Sequence, residues 1–331
     1  MHYPAHSILA MDLSPFGRSL KLLPAINAVR QAYASAFIVV AANTGACELI
    51  TADNLSDETI DLGVIKLASG NALGLKRSLT LAKRARRHSF DLILDFSPRL
   101  ETMIVSNVLL RARTITPSSI PRAVEFLLAF GGRQLKSDDY ASVLKQISIK
   151  PDRNFQLVAS ASENSQFEQF LARNGSRGGE LIVLLYASGA QPPRGSSFEA
   201  LAEVGTRLAN NFGARIVAAD QPGDCEFTDA VGNRFSAGKS SLVEPRAPFL
   251  IAALARASIV ITDEGAVAEA AATLGTPAIE IADSRTEPSP PSQRHRVVRA
   301  NRGTAASTDE VYEIACEMIQ ESRSTSLFDL P

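Results

Sequence analysis

Asp263, Glu264 and Gly265 stand together in one polar turn, and Glu269 follows four residues later. Together they have the types and spacing to hold a phosphorylated ligand. They lie inside SIVITDEGAVAEAAATLGTPAIEI, residues Ser258–Ile281. A short apolar strand runs into the turn, an alanine-rich helix follows, and Gly275-Thr276-Pro277 leads into a second apolar strand. That order is one βαβ unit. Open parallel sheets bind ligands at the carboxyl ends of their strands, which is where this turn falls. A helix start presents backbone N–H groups, and these attract phosphate. Gly265 and Ala266 put nothing bulky in the way. Glu269 lies about one and a half turns into the helix, where a carboxylate can accept hydrogen bonds from two ribose hydroxyls. The plainer reading has Asp263 as an ordinary helix cap and Glu269 as a solvent-facing residue.

Three other groups have types suited to the same chemistry. Ser188-Gly189-Ala190 follows an apolar run and would let backbone approach a diphosphate, with Arg194 able to add a bidentate cationic contact. Gly238-Lys239-Ser240 tempts a phosphate-loop reading, but the preceding glycine, Gly232, is one residue too far away. Lys239 is therefore read as capping a turn or lying on the rim of a ligand cleft. Asp95 ends a strand and can orient an acceptor. Asp220, at the end of another strand, lies in a stretch that reads as a base pocket or a plain loop. Lys76, Arg77, Lys83, Arg84, Arg86 and Arg87 make Gly74–His88 a cationic helix. That helix reads as a solvated face or as one that meets an anionic membrane or acceptor phosphates.

Bulk composition narrows the classes. A length of 331 residues favours two domains. Hydrophobic residues make up 45% and charged residues 21%, as in a soluble globular protein. The net charge of −1 gives no global attraction to nucleic acid, and the absence of Trp argues against a base-stacking platform. No apolar run reaches the roughly 18 residues of a membrane span. The opening MHYPAHSILAMDL lacks the pattern of a signal peptide. Cys47, Cys225 and Cys316 are few and scattered, which suits reduced thiols in a cytoplasm, with neither a disulfide framework nor a zinc site. The four histidines have no metal-ligand spacing.

The elements that must position these groups alternate along the chain. Strands are expected at Ser7–Leu13, Ala36–Ala42, Gly63–Leu67, Phe90–Phe96 and Arg113–Thr116. Helices are expected at Arg18–Gln31, Gly74–His88, Glu101–Arg111, Pro121–Phe130 and Asp138–Ile147. Lys150–Glu180 reads as a junction, with a helix at Ser165–Arg173 and a glycine-rich end. The pattern then restarts, with strands at Leu181–Tyr186, Arg215–Ala219, Ser258–Ile261 and Val297–Val298. Helices there are Ser197–Phe212, Pro245–Arg256 and Thr308–Glu321. Such alternation predicts an α/β protein with two doubly wound, mostly parallel sheets and a ligand cleft between two halves.

The order of parts resembles the glycosyltransferase family of the lipopolysaccharide heptosyltransferases, glycosyltransferase family 9, which has the GT-B fold of two Rossmann-like domains. ILAMDLSPFGRSLKLLPAINAVRQAYASAFIVVAA is similar to that family's first βαβ unit, and FDLILDFSPRLETMIVSNVLLR to a later strand and helix. LLYASGAQPPRGSSF resembles its His-Pro-Gly-Ala loop, AGKSSL its Gly-Lys-Thr-Ser-Leu stretch, and Thr262–Pro277 its C-terminal signature. The likeness runs over about residues 7–300. It implies an acceptor-side domain at 1–160, a nucleotide-sugar-binding domain at 175–305, and a closing helix and tail at 306–331 that can pack back on the first domain. The implied activity is transfer of a sugar, heptose among the candidates, from a nucleotide-diphosphate donor to a lipopolysaccharide or other cell-surface glycan or glycolipid acceptor. It needs neither metal nor cofactor, and it places the protein in the cytoplasm, with peripheral contact at the inner face of the membrane.

The departures from that family matter as much. Aligned on Leu23-Pro24-Ala25-Ile26, the position of the family's catalytic Asp is occupied here by Arg18, after Gly17, and the family's strand-end Arg falls on Asp12. Either the two charges form a swapped ion pair with no base, or Asp12 takes the base role itself. Glu269 replaces the family's His. Its spacing from Asp263 instead resembles the phosphate-binding turn of the UDP-N-acetylglucosamine 2-epimerases, where the Glu holds the ribose. Two alternatives therefore stand beside the transferase. One is a catalytically silent homologue that acts as a binding or scaffold protein in polysaccharide assembly, and the other is an epimerase-like enzyme.

Overall fold

The computed structural model describes residues 4–65, 79–106, 113–117, 140–150, 155–176, 178–187, 197–222, 225–232, 240–242, 245–282, 292, 294–299 and 307–328. The chain divides into two compact units, Met1–Phe155 and Gln156–Pro331. Each is built on one parallel sheet with helices beside it, so the fold is α/β.

The first unit holds β1 (Ser7–Met11), β2 (Phe37–Ala42), β3 (Glu58–Asp61), β4 (Leu92–Asp95) and β5 (Arg113–Ile115), in the order β3-β2-β1-β4-β5. β1 and β4 are buried along nearly their whole length, as strands covered on both faces must be. The helix Leu22–Ala32 buries Leu22, Leu23, Ile26 and Val29 at helical spacing. A helix at Thr44–Ala52 was not legible from periodicity. It is started by Asn43, whose side chain accepts from the Ala46 N–H at 2.9 Å. Ahead of the strand expected at Gly63–Leu67, whose last two residues lie outside the described residues, the structure has a strand at Glu58–Asp61 and none over 63–65. Only Ile60 of that strand is buried, so the apolar signal was missing, and Gly63 at φ +77° turns the chain away. The helix expected at Pro121–Phe130 and the first part of the cationic helix lie outside the described residues.

The second unit holds β6 (Ile182–Ala187), β7 (Arg215–Asp220), β8 (Ser240–Leu242), β9 (Ile259–Thr262), β10 (Ala278–Ala282) and β11 (His295–Arg299). Their order is β11-β10-β9-β6-β7-β8. One face of this sheet packs Val183, Leu185, Ile216, Ile259, Ile279 and Val298 against Leu201, Val204 and Leu208 of the helix Ser197–Phe212. The junction helix runs Ala161–Arg173 under a Ser160 cap, and its Phe167 and Phe170 meet Phe249 of the helix Ala247–Arg256.

The closing helix Thr308–Phe328 puts Val311, Ala315, Met318 and Ile319 into the second unit's core. Arg207 fastens it from outside, pairing with Asp309 at 2.6 Å and lying 4.0 Å over the Tyr312 ring. Among the described residues no helix is long and apolar enough to cross a membrane.

Candidate functional site

The strand order of the second unit places its crevice. From β6 the chain moves outward to β7 and β8, then returns to lay β9 on the other side of β6. The two crossovers leave the carboxyl ends of β6 and β9 in opposite directions, which opens the sheet at that point. Tyr186 of β6 is level with Thr262 of β9. The turn Thr262–Gly265 therefore rises from the switch point, beside Ala187, where β6 ends. Ser188, Gly189, Arg194 and Lys239 lie outside the described residues.

The turn is held by its own backbone. The buried Thr262 hydroxyl accepts the Glu264 N–H at 3.0 Å. Glu264 is extended at φ −118°, ψ 106°, and its carbonyl accepts from Val267 and Ala268 at 3.0 and 3.1 Å. Glu264, and not Asp263, is thus the residue before the helix Gly265–Thr273. The Glu264 side chain makes no capping hydrogen bond to that helix. Its opening N–H groups, at Gly265 and Ala266, have no acceptor within the helix. They carry the positive end of the helix dipole. Asp263, Glu264 and Glu269 are half-buried. Glu269 is one turn beyond Gly265, about 6 Å along the axis.

Beneath the turn lies a feature the sequence reading missed. A Cβ on Gly265 would lie 2.7 Å from Glu280 Oε1, so the glycine leaves room for the carboxylate under it. Glu280 is 2% exposed, and Nε2 of His295, itself fully buried, lies 3.2 Å from its Oε2. Ala278 is level with His295 in the β10–β11 pairing. Side chains alternate along a strand, so Glu280 and His295 leave the same face of the sheet. A lone acid in the apolar strand AIEIA was the available signal. His295 had been passed over for want of metal-ligand spacing. Among the described residues no three His, Cys, Asp or Glu side chains converge as a metal ion requires.

The first unit repeats the switch-point geometry between β1 and β4, where Met11 is level with Asp95. Asp12 and Asp95 end these neighbouring strands, and both are fully buried. Asp12 Oδ2 accepts from Tyr140 Oη at 3.0 Å, and its Oδ1 accepts from the Ser14 N–H at 3.1 Å. Tyr140 stacks on Phe96, with centroids 5.5 Å apart. The loop Leu13–Ser19 is pinned further. The Leu13 N–H meets Ser97 Oγ, and Asn43 Nδ2 donates to the Ser14 carbonyl at 2.9 Å. Gly17 is buried and Arg18 half-buried, and the Arg18 carbonyl lies 3.3 Å from Tyr140 Oη. The structure thus gives Asp12 partners other than the Arg18 guanidinium of the swapped-pair reading.

Two further features are structural. Asp220 accepts from the Phe227 and Thr228 N–H groups at 2.9 and 2.8 Å and so starts the helix Glu226–Gly232, in place of lining a base pocket. A hollow of about 360 Å³ lined by Leu181, Ser258, Pro277 and Arg294 opens at the amino ends of the second sheet, away from the turn. Open sheets bind at the other edge, so the turn remains the candidate site despite that hollow.

No protein-family profile matches the sequence, nor does any curated protein sequence. Solved structures do match the fold. A glycosyl transferase of family 9 from Veillonella parvula superposes with a TM-score of 0.68 at 15% identity, over 97% of this chain and 99% of that one. An E. coli heptosyltransferase bound to ADP-2-deoxy-2-fluoro heptose gives 0.60 at 17% identity, over 94% and 99%. The UDP-GlcNAc 2-epimerase of Methanocaldococcus jannaschii, bound to UDP-GlcNAc and UDP, gives 0.52 at 14% identity, over 95% and 92%. At this level of identity the likeness carries the two-unit fold.

Proposed function

We propose that this protein is a glycosyltransferase that binds a nucleoside-diphosphate sugar at the Thr262–Gly265 turn and moves the sugar to a hydroxyl of a cell-surface glycan or glycolipid. The observation that carries this reading is the helix start at the second unit's switch point, which a glycine opens and which the Glu264 side chain before it does not cap. Charge develops on the leaving diphosphate during transfer. The N–H groups of Gly265 and Ala266 are oriented to stabilise it without reorganising. Glu269, one turn on, accepts from the ribose hydroxyls. Ser188, Gly189, Arg194 and Lys239 are assigned to the diphosphate, and Gly17 and Asp95 to the acceptor side. That structures of this fold hold an ADP-sugar analogue and a UDP-sugar supports the ligand class.

The exposed Lys83, Arg84, Arg86 and Arg87 support contact with an anionic membrane surface, and with it a cytoplasmic location at the inner face. A panel of ADP and UDP sugars in a thermal-unfolding assay tests the donor. A true donor raises the melting temperature by mass action, and Glu269→Ala removes that rise. No rise with any donor discards the reading.

A second reading is favoured by Asp12. The acceptor hydroxyl must lose its proton to a base. Asp12 is buried and takes two hydrogen bonds, while Arg18 stands where the resembling family has its Asp. A donor-binding protein without transfer fits those facts. Release of nucleoside diphosphate from a bound donor, with glycolipid extract supplied, separates the two readings.

A further inference from the structure

We infer that Phe37, Leu79 and Phe90, set among Lys83, Arg84, Arg86 and Arg87, form a docking face of the first unit whose apolar groups enter the interface of an anionic lipid bilayer. The inference rests on the membrane-contact reading above and names the side chains that anchor it.

Residues 79–85 are helical, and Leu81, Ala82 and Ala85 turn into the core that covers one face of the first sheet. Lys83 and Arg87, four residues apart, fall on the opposite side, and Leu79 comes one turn before Lys83 on that same side. Leu79 is 61% exposed. Phe37 opens β2 and alternates in phase with Val39 and Ala41, whose side chains enter the same core, so it leaves the sheet on the face that this helix covers. Its side chain stays 36% exposed. The end of the cationic segment brings His88 against it. The Phe37 and His88 ring centroids are 5.0 Å apart, and Phe90 follows at 5.9 Å from His88. His88 is fixed there by Glu58, with Nε2 3.1 Å from Oε2. Phe90 is half-buried and packs on the same core. Among the described residues three large apolar side chains stand exposed, Phe37, Leu79 and Val158, so two of the three border one cationic run.

The charges around them are one-sided. Lys83, Arg84, Arg86 and Arg87 are exposed, and among the described residues none of them pairs with a carboxylate. The acids nearby are engaged within the unit. Glu58 holds His88, Asp57 holds Arg30, Asp61 accepts from the Thr44 hydroxyl and the Gly63 N–H, and Asp91 accepts from the His6 and Ser7 N–H groups. Unpaired cations beside exposed aromatic and aliphatic groups have the chemistry of a lipid interface. The apolar groups reach the acyl boundary, while Lys and Arg stems lie along it and carry their charged heads to lipid phosphates. A bilayer serves both kinds of group at once, and the glycolipid acceptor proposed above brings such a surface to the protein.

The chain has no Trp, so Phe37→Trp introduces its only indole at the point of entry. The full-length variant and wild type are mixed with vesicles of phosphatidylcholine alone, or of equal parts phosphatidylcholine and phosphatidylglycerol. Both proteins should float with the anionic vesicles and not with the neutral ones. On binding, the indole emission should shift to the blue and be quenched by lipids brominated along the acyl chain. Leu79→Gln and Arg87→Gln should each weaken the binding about fivefold. Circular dichroism checks folding, and Leu79→Trp replaces Phe37→Trp if the latter does not fold. Salt-reversible binding to anionic vesicles, with neither blue shift nor quenching, overturns the inference and leaves a purely electrostatic contact. No binding of wild type to anionic vesicles overturns the membrane reading and the inference with it, and leaves the cations to an acidic protein partner.

Discussion

Tyr140 reaches across 128 residues of chain to donate its phenolic hydrogen to Asp12 at 3.0 Å. Both groups are buried, and the same tyrosine ring stacks on Phe96, the residue after β4. One side chain thus ties the loop after β1 to the end of β4. A carboxylate held this way is spent on shaping its loop, because using it as a base means giving up a buried hydrogen bond.

Tyr140→Phe tests that role. The ring stacking survives, and Asp12 Oδ2 loses its donor. A buried acceptor left without its partner costs about 1–3 kcal/mol, so urea unfolding should shift by that amount. A change below about 0.5 kcal/mol, the range of ordinary surface substitutions, would show that Asp12 does not depend on the tyrosine. The catalytic reading of Asp12 would then gain ground.

Gly265→Ala tests the packing of the turn. The added methyl group meets the Glu280 carboxylate at 2.7 Å, and Glu280 is buried with His295 beside it. Overpacking of this kind costs about 1–3 kcal/mol. The cost should shrink in a Glu280→Ala background, because contacting residues are not additive. Equal costs in both backgrounds would break the claim that the glycine leaves room for the carboxylate.

Asp57 should contribute to acid stability. Burial raises its carboxyl affinity for a proton, but the Ile38 N–H and the Arg30 guanidinium outweigh that and hold it below the usual carboxylate range. A depressed folded value means stability that is present above the unfolded carboxylate range and is lost as pH falls through the folded value. Asp57→Asn should therefore flatten the acid limb of a stability–pH curve and leave its shape near neutrality unchanged. An unaltered acid limb would contradict this.

Much of the architecture was legible in the chain. The apolar runs at β1, β2, β4, β6 and β9 announce strands covered on both faces, and the helix Ser197–Phe212 follows its amphipathic period without a residue's error. Elements with no such signal were missed or misplaced. β3 is a polar edge strand with one buried residue, β8 is three residues long, and the Thr44–Ala52 helix is set by its cap as much as by its faces. The DEGA turn was visible because strand, glycine and helix are contiguous in sequence.

What the sequence determined by itself was local: where strands and helices form, and which turn opens toward a ligand. Tertiary structure decided which strands are neighbours, and so which residues share a crevice. Hydrogen bonding of β6 to β9 created the second unit's switch point, and pairing of β10 with β11 brought His295 to Glu280 under Gly265. Periodicity encodes which way a side chain points along its own element. It carries no information about which distant strand burial will set beside it, and a buried charge acquires its meaning only from that neighbour.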